Sequence, residues 1–421
     1  YRFHRLPKAI ELAREAGHQG AMFPWQSGSD GRDETPTQLF NPRSGKWIPD
    51  RSRYQRHVGL AITYNFWKHF QATGDTDHLA REGAAVMIEV ARFFSSLATF
   101  DEDLGRNRIR GVMGPDEFHD GYPWSDDPGI DDNAYTNVMA AWLFARVAEL
   151  VELLEESGRS QMLESLAVTT EELDRFDDLT RTLHVPVLDD GVVAQFEGYD
   201  KLDPIDLGAY SKKYGNIGRL DLILDGEGDS VRRYQVAKQA DVLMLLYLFS
   251  AEELRMILER LGLDFQADAI RRTVAFYSHR VVHGSSLSRV VHAWVNAREN
   301  RRESWRLYRK ALSIDVQDSQ GGTTREGIHL GAMGGTADIL TRCYTGLEVR
   351  ADALWLNPRL PRELEQLAFP LEYRGHILHL EIDHKYVVVD ARDGPSTPST
   401  ILVQSHPYTL GPGGYFRHEL L

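Results

Sequence analysis

The chain has 421 residues, 42% of them hydrophobic, and a formal net charge of −14. That is enough apolar content for a large core in two or three domains, while the acidic balance argues against nucleic-acid binding, which needs a basic face. No apolar run reaches membrane-spanning length and no signal-like segment follows Tyr1, which excludes a membrane protein. The single cysteine, Cys343, excludes a disulfide framework and a multi-cysteine metal site, so the chain reads as cytoplasmic. Tyr1 stands in place of an initiator methionine, so the chain is processed or is a piece of something longer.

Residues 1–345 read as mainly helical. Pro7–Ala16 interleaves charge with apolar residues, Val58–Gln71 is aromatic-rich at helical spacing, and His78–Leu97 repeats apolar residues every three or four positions. Asn133–Glu156 does so more strongly, with Gly158 as its cap. Further helices are expected over Thr169–Leu183, Gln235–Leu248, Ala251–Leu261, Ala267–Ser278, Ser286–Arg298, Arg301–Asp315 and Ile328–Cys343. The long loops between them, Gly20–Arg53, Gly111–Ile130 and Gln195–Gly218, are rich in Gly, Asp, Pro and aromatics. Loops of that length in a compact protein are functional or disordered, and the aromatics argue against disorder. After Arg350, Leu378, Leu380 and Ile382 alternate with His379, Glu381 and Asp383, the pattern of a half-buried strand. The expected fold is therefore mainly α over 1–350, followed by a small antiparallel β domain over 351–421.

Six stretches could carry chemistry. In RGVMGPDEFHDGYP, from Arg110 to Pro123, Glu117 sits beside Phe118 with Tyr122 and Trp124 near in sequence. An apolar, aromatic setting raises a carboxyl's proton affinity, as an acid that protonates a glycosidic oxygen requires. Asp116 and Asp120 are placed to hydrogen-bond sugar hydroxyls, or to keep Glu117 protonated by like-charge repulsion. Taken alone, the stretch reads equally as an acidic surface turn. HGSSLS (His283–Ser288) and GGTTREGIHLGAMGGT (Gly321–Thr336) pair flexible glycines with hydroxyls and an imidazole, which suits an inorganic phosphate. They also read as helix caps, with Ser285 or Ser286 and Thr323 or Thr324 as capping residues and Glu326 closing a capping box. Lys238 and Gln239 of AKQADV offer donors to sugar hydroxyls or are ordinary polar residues at a helix start. Trp25 of GAMFPWQSGSDG is a stacking face or a loop anchor. DDNAYTN (Asp131–Asn137) is a helix start or a polar shell around the acid loop. No histidine pair has ligand companions at metal-site spacing, so no metal is expected, and no nucleotide-binding glycine motif or G-x-S-x-G elbow is present.

Taken together and in order, FPWQSG, RGVMGPDEFHDGY, DDNAYTNVMA, QFEGY, KQADVLMLLYL, HGSSLS, TTREGIHLGAMGGT and LWLNPRLP resemble the glycoside hydrolase family 65 enzymes, which include maltose, trehalose and kojibiose phosphorylases and some hydrolases. The resemblance implies an (α/α)6 barrel followed by a C-terminal β domain. It also implies that the family's N-terminal sandwich and first barrel segment, with its Trp-Asp-Thr-Glu stretch, are missing here. It makes Glu117 the general acid, places Trp25, Asp116, Lys238 and Gln239 at the glucosyl unit, and gives Ser285, Ser286, Thr323, Thr324 and His329 to phosphate. The expected reaction is inverting phosphorolysis of an α-glucosyl disaccharide, with phosphate as co-substrate and no cofactor. HGSSLS holds no acid to activate water, which favours phosphorolysis over the alternative, hydrolysis with Glu326 as base; a non-catalytic sugar-binding fragment is the third reading. The partners expected are disaccharide and phosphate, with no nucleic acid and no membrane; homodimers are common in the family.

Overall fold

Asn133 opens the longest helix, Ala134–Glu156: its side-chain oxygen accepts from the Thr136 amide at 2.9 Å, satisfying an amide that the helix itself leaves unpaired. From Ala134 to Phe144 every residue is buried. A helix covered on all sides is a core helix rather than a surface one. The helices Ala84–Leu97 and Thr170–Thr182 pack against it, with Phe144 stacked on Phe176 at 5.3 Å and Trp142 grouped with Tyr64 and Phe249.

The computed structural model describes residues 1–318, 323–350 and 353–420. Cα packing divides the chain into two units, Tyr1–Phe66 with His78–Ser288 and Trp67–Asp77 with Arg289–Leu421. In the first, most helices lie within a residue or two of where periodicity places them, including Leu6–Glu15, Val58–Thr73, Ala251–Arg260 and Ala267–Ser278. The expected helix His78–Leu97 contains a π-helical turn over Leu79–Gly83. Three departures matter. Gln235–Asp241 is not helical; the helix begins only at Val242, and Ala237 instead bridges Val281 in parallel. Leu207–Tyr214 and Leu220–Glu227 are short helices in and beyond a stretch read as loop. The segment Gly20–Arg53 holds a hairpin, Gln38–Asn41 with Lys46–Pro49.

The second unit carries the helices Arg301–Leu312 and Leu330–Asp338 and two four-stranded sheets. One sheet runs Tyr415–Glu419, Tyr386–Asp393, His376–Asp383, Gln366–Tyr373, antiparallel throughout. Leu378, Leu380 and Ile382 are fully buried, as their alternation requires. The other sheet, His406–Leu410, Ser399–Val403, Ala353–Leu356, Glu348–Arg350, contains one parallel pair, Ser399–Val403 with Ala353–Leu356, where the sequence suggested antiparallel pairing only. Among the described residues no helix is long and apolar enough to cross a membrane, and no group of three or more His, Cys, Asp or Glu is placed to hold a metal.

Candidate active site

Gly114-Pro115 turns the chain so that Asp116 points inward and Glu117 outward. Asp116 is fully buried. Its Oδ1 accepts from the Lys238 amide at 2.7 Å and the Phe118 amide at 3.4 Å; its Oδ2 accepts from Gln195 Nε2 at 3.0 Å and meets His119 Nδ1 at 2.9 Å. The other nitrogen of His119 lies 3.0 Å from the Tyr234 carbonyl, which can only accept, so Nε2 is the donor there. Phe118 is buried in an apolar cluster with Leu220, Ile223, Leu224 and Val236. The loop is thus nailed down on both sides of Glu117, which stays half-exposed with its Oε2 2.6 Å from Lys238 Nζ.

Glu117 and Lys238 line a cavity of about 290 Å³ together with Leu39, Ile48, Arg219 and Asp221. The other carboxylates of that cavity are engaged. Asp120 pairs with Arg232 at 2.5 Å, Asp221 with Arg219 at 2.7 Å, Asp225 accepts from Asn41 and Ser44, Asp229 from Tyr234 and Arg233, and Asp50 from the Ser52 amide.

Several expectations change at this point. Asp116 does not face a sugar: both its oxygens are taken up by the protein. Neither Asp116 nor Asp120 presses on Glu117 with a free charge, since His119 and Arg232 hold them. Of the aromatic neighbours in sequence, Phe118 reaches the cavity wall, whereas Tyr122 and Trp124 are not among its lining residues. Phe118 is core, and Tyr122 donates to the Glu197 carbonyl and stacks on Trp124 at 5.0 Å. Gln239 is buried, with its amide nitrogen donating to the Pro115 carbonyl, so it buttresses the same turn. Trp25 is half-buried against His57, whose ring meets Tyr135 edge-on at 5.5 Å; it is not among the residues lining the Glu117 cavity.

The His283–Ser288 segment runs beside Lys238: the Gly284 amide donates to the Lys238 carbonyl at 2.7 Å. Only glycine fits at 284, because a Cβ there would run into the Gly218 carbonyl and lie 2.9 Å from Lys238 Cγ. Ser285 Oγ accepts from the Leu287 amide at 3.3 Å, so it caps the helix Ser286–Asn296. Ser285 and Ser286 therefore belong to the first unit with Glu117. Thr324 and His329 belong to the second. There the Asp315 carboxylate accepts from the His329 amide at 3.0 Å and meets its Nδ1 at 2.6 Å, which holds that carboxyl below the usual range. Thr323–Glu326 is a separate 3-10 turn, and the next helix starts at Leu330 after His329. The side chains of Thr323 and Glu326 lie outside the described residues.

Sequence reading passed over two residues that the structure brings to the acid loop. Gln195 reaches Asp116 from a loop, and Asp241 lies beneath the acid loop, accepting from the Asp116 amide at 3.2 Å and from Asn133 Nδ2 at 3.2 Å. Asn133 thus fills both roles considered for DDNAYTN, cap and polar shell. Burial, and secondarily the charge of Asp116, push the Asp241 carboxyl up to about 8, against the pull of those two hydrogen bonds.

A helical scaffold thus delivers one carboxylate to a polar cavity, beside a glycine- and serine-rich helix start. The chain belongs to glycosyl hydrolase family 65: the family's central catalytic domain model matches residues 1–338 and its C-terminal domain model residues 347–410. It is 50% identical over 410 residues to an uncharacterised glycosyl hydrolase of Mycobacterium tuberculosis, covering 97% of this chain and 31% of that protein. It is 36% identical over 392 residues to the trehalose 6-phosphate phosphorylase of Lactococcus lactis (93% and 49%). To the kojibiose phosphorylase of Escherichia coli it is 30% identical over 393 residues (92% and 47%). The chain therefore spans between about a third and a half of the curated relatives it matches. Among solved structures, a putative kojibiose phosphorylase from the human microbiome superposes with a TM-score of 0.79 at 20% identity, covering all of this chain and 56% of that one. That likeness shows the fold class expected from the sequence, a mainly helical (α/α)6 barrel with a C-terminal β domain.

Proposed function

We propose that this chain is the catalytic part of an inverting phosphorylase that cleaves an α-glucosyl disaccharide with inorganic phosphate. The observation that carries the reading is the pairing of elements around Lys238. On one side its ammonium meets Glu117 at 2.6 Å. On the other its carbonyl holds the His283–Ser288 segment, which offers amides, hydroxyls and an imidazole but no carboxylate. A nucleophile bound there must bring its own charge, and phosphate does.

In this reaction a phosphate oxygen forms a bond to the anomeric carbon as the glycosidic C–O bond breaks, and the bonding pair leaves with the acceptor oxygen. Glu117 gives that oxygen its proton and regains one from the phosphate hydroxyl or solvent. The products are β-glucose 1-phosphate and a free sugar. In the proposed reaction Lys238 exchanges its contact with Glu117 for a sugar hydroxyl when substrate binds, which frees Glu117 to face the glycosidic oxygen. Ser285 and Ser286, in the unit that holds Glu117, are the proposed phosphate ligands. The substrate class is trehalose-, maltose- or kojibiose-like. A phosphate co-substrate and a lone cysteine suit a cytoplasmic setting.

The test is a screen of trehalose, trehalose 6-phosphate, maltose, kojibiose and nigerose with full-length protein, with and without phosphate. Phosphate-dependent appearance of β-glucose 1-phosphate is expected for one of them, and Glu117→Gln should lower kcat at least 10³-fold, the upper range for loss of a general acid and of the charge it holds. Equal release of glucose with and without phosphate would overturn phosphorolysis in favour of hydrolysis.

A further inference from the structure

We propose that Asp241 is a positioning residue for Glu117, setting the backbone from which the acid projects. The proposal rests on the reading of Glu117 as the acid. Asp241 is almost wholly buried and precedes the helix Val242–Leu248 without capping it, since it makes no side-chain bond to that helix. Its carboxyl reaches across instead. Oδ2 accepts from the Asp116 amide, immediately before Glu117, and Asn133 Nδ2 donates to both oxygens at 3.3 and 3.2 Å. A Cβ at Gly114 would collide with both Asp241 Oδ2 and Asn133 Nδ2, so the Gly114-Pro115 turn lies directly on this pair. A free carboxyl could satisfy a helix start; this one is turned away from its own helix and onto the acid loop.

The surroundings explain how a second buried acid is tolerated so near Asp116. The charged and titratable groups that face Asp241 are Asp116 from the acid loop, Tyr135 from the long helix, Tyr199 from the loop after Gln195, and Tyr277 from the helix Ala267–Ser278. None is a cation. A carboxyl pushed up to about 8 is neutral in most molecules at pH 7, so the buried pair avoids two adjacent charges. Asparagine keeps an acceptor oxygen at the same reach, which makes it the conservative replacement.

The experiment compares Asp241→Ala, Asp241→Asn and Glu117→Gln in full-length protein, with kcat expressed per folded molecule and amide hydrogen exchange followed at residues 114–118. Asp241→Ala is expected to lower kcat at least 30-fold with KM for disaccharide within about threefold, and to speed exchange at Asp116. Asp241→Asn should recover kcat to within tenfold of the native protein. A residue that only supports the fold would reduce the yield or Tm of Asp241→Ala and leave kcat per folded molecule alone, and that result overturns the proposal. Retained activity in Glu117→Gln would sink the acid assignment; the exchange data then decide separately, and unchanged protection at Asp116 in Asp241→Ala overturns the positioning. Should the alanine variant not fold, Asp241→Ser, too short to reach the Asp116 amide, carries the same readouts and the same expected loss.

Discussion

Glu117 and Asp116 are neighbours with opposite fates, and the difference comes from partners rather than from residue type. Asp116 is ringed by four donors and buried; Glu117 meets one ammonium at the cavity wall. The sequence shows two acids in a turn and cannot say which faces inward, because Gln195 and the Lys238 amide arrive from positions far along the chain. Lys238 was legible as a donor near a sugar, but its contact with Glu117 was not. Replacing it with methionine should lower kcat/KM by roughly 10- to 100-fold, the range for a hydrogen bond to a charged group. The fall should appear in both KM and kcat, because Lys238 is proposed to hold the sugar and to release the acid. A loss confined to KM would leave Lys238 as a sugar ligand alone.

Periodicity located elements well and misread the stretch that matters most. AKQADVLMLLYL has an apolar run consistent with helix from Gln235, yet residues 235–241 are not helical: Asp116 takes the Lys238 amide and Ala237 bridges Val281. Tertiary hydrogen bonds outweighed local preference. The helix Leu207–Tyr214 did leave a signal, Asp206, whose Oδ1 accepts from the Ala209 amide at 2.9 Å; Gly208 within its first turn and Gly215 just past its end made it read as loop. The β strands were legible because alternation is local, whereas the parallel pairing of 399–403 with 353–356 depends on a partner more than forty residues away. The Gly284 crossing yields a prediction at this scale. Gly284→Ala must push the His283–Ser288 segment off Gly218, costing about 1–3 kcal/mol as an overpacked site does. KM for phosphate should rise at least tenfold while KM for disaccharide moves little, in initial-rate kinetics with each substrate varied. An unchanged phosphate KM would remove that segment from the phosphate site.

Across the whole molecule, two buried histidines and one buried carboxyl set how stability follows pH. His57 in the first unit and His292 in the second are lowered by burial from 6.5 to about 4. The unfolded chain binds more protons than the folded one between those values, so their contribution is full above 6.5 and is lost as pH falls toward 4. Asp241 has the opposite sign: raised from 3.8 to about 8, it favours the folded state at low pH and that benefit fades as pH rises to 8. Between 4 and 6.5 two groups oppose one, a net slope of roughly 1.4 kcal/mol per pH unit; above 6.5 only Asp241 acts. Chemical denaturation at pH 5, 6.5 and 8 should give the highest stability near 6.5, and a maximum at pH 8 would contradict this balance. The clamp around the acid has one more implication. The groups that aim Glu117 come from positions 118, 133, 195, 238 and 241, so no contiguous peptide carries the catalytic geometry. An unfolded chain would hold every one of these side chains without their arrangement, so on the proposed reading turnover would itself report completed folding.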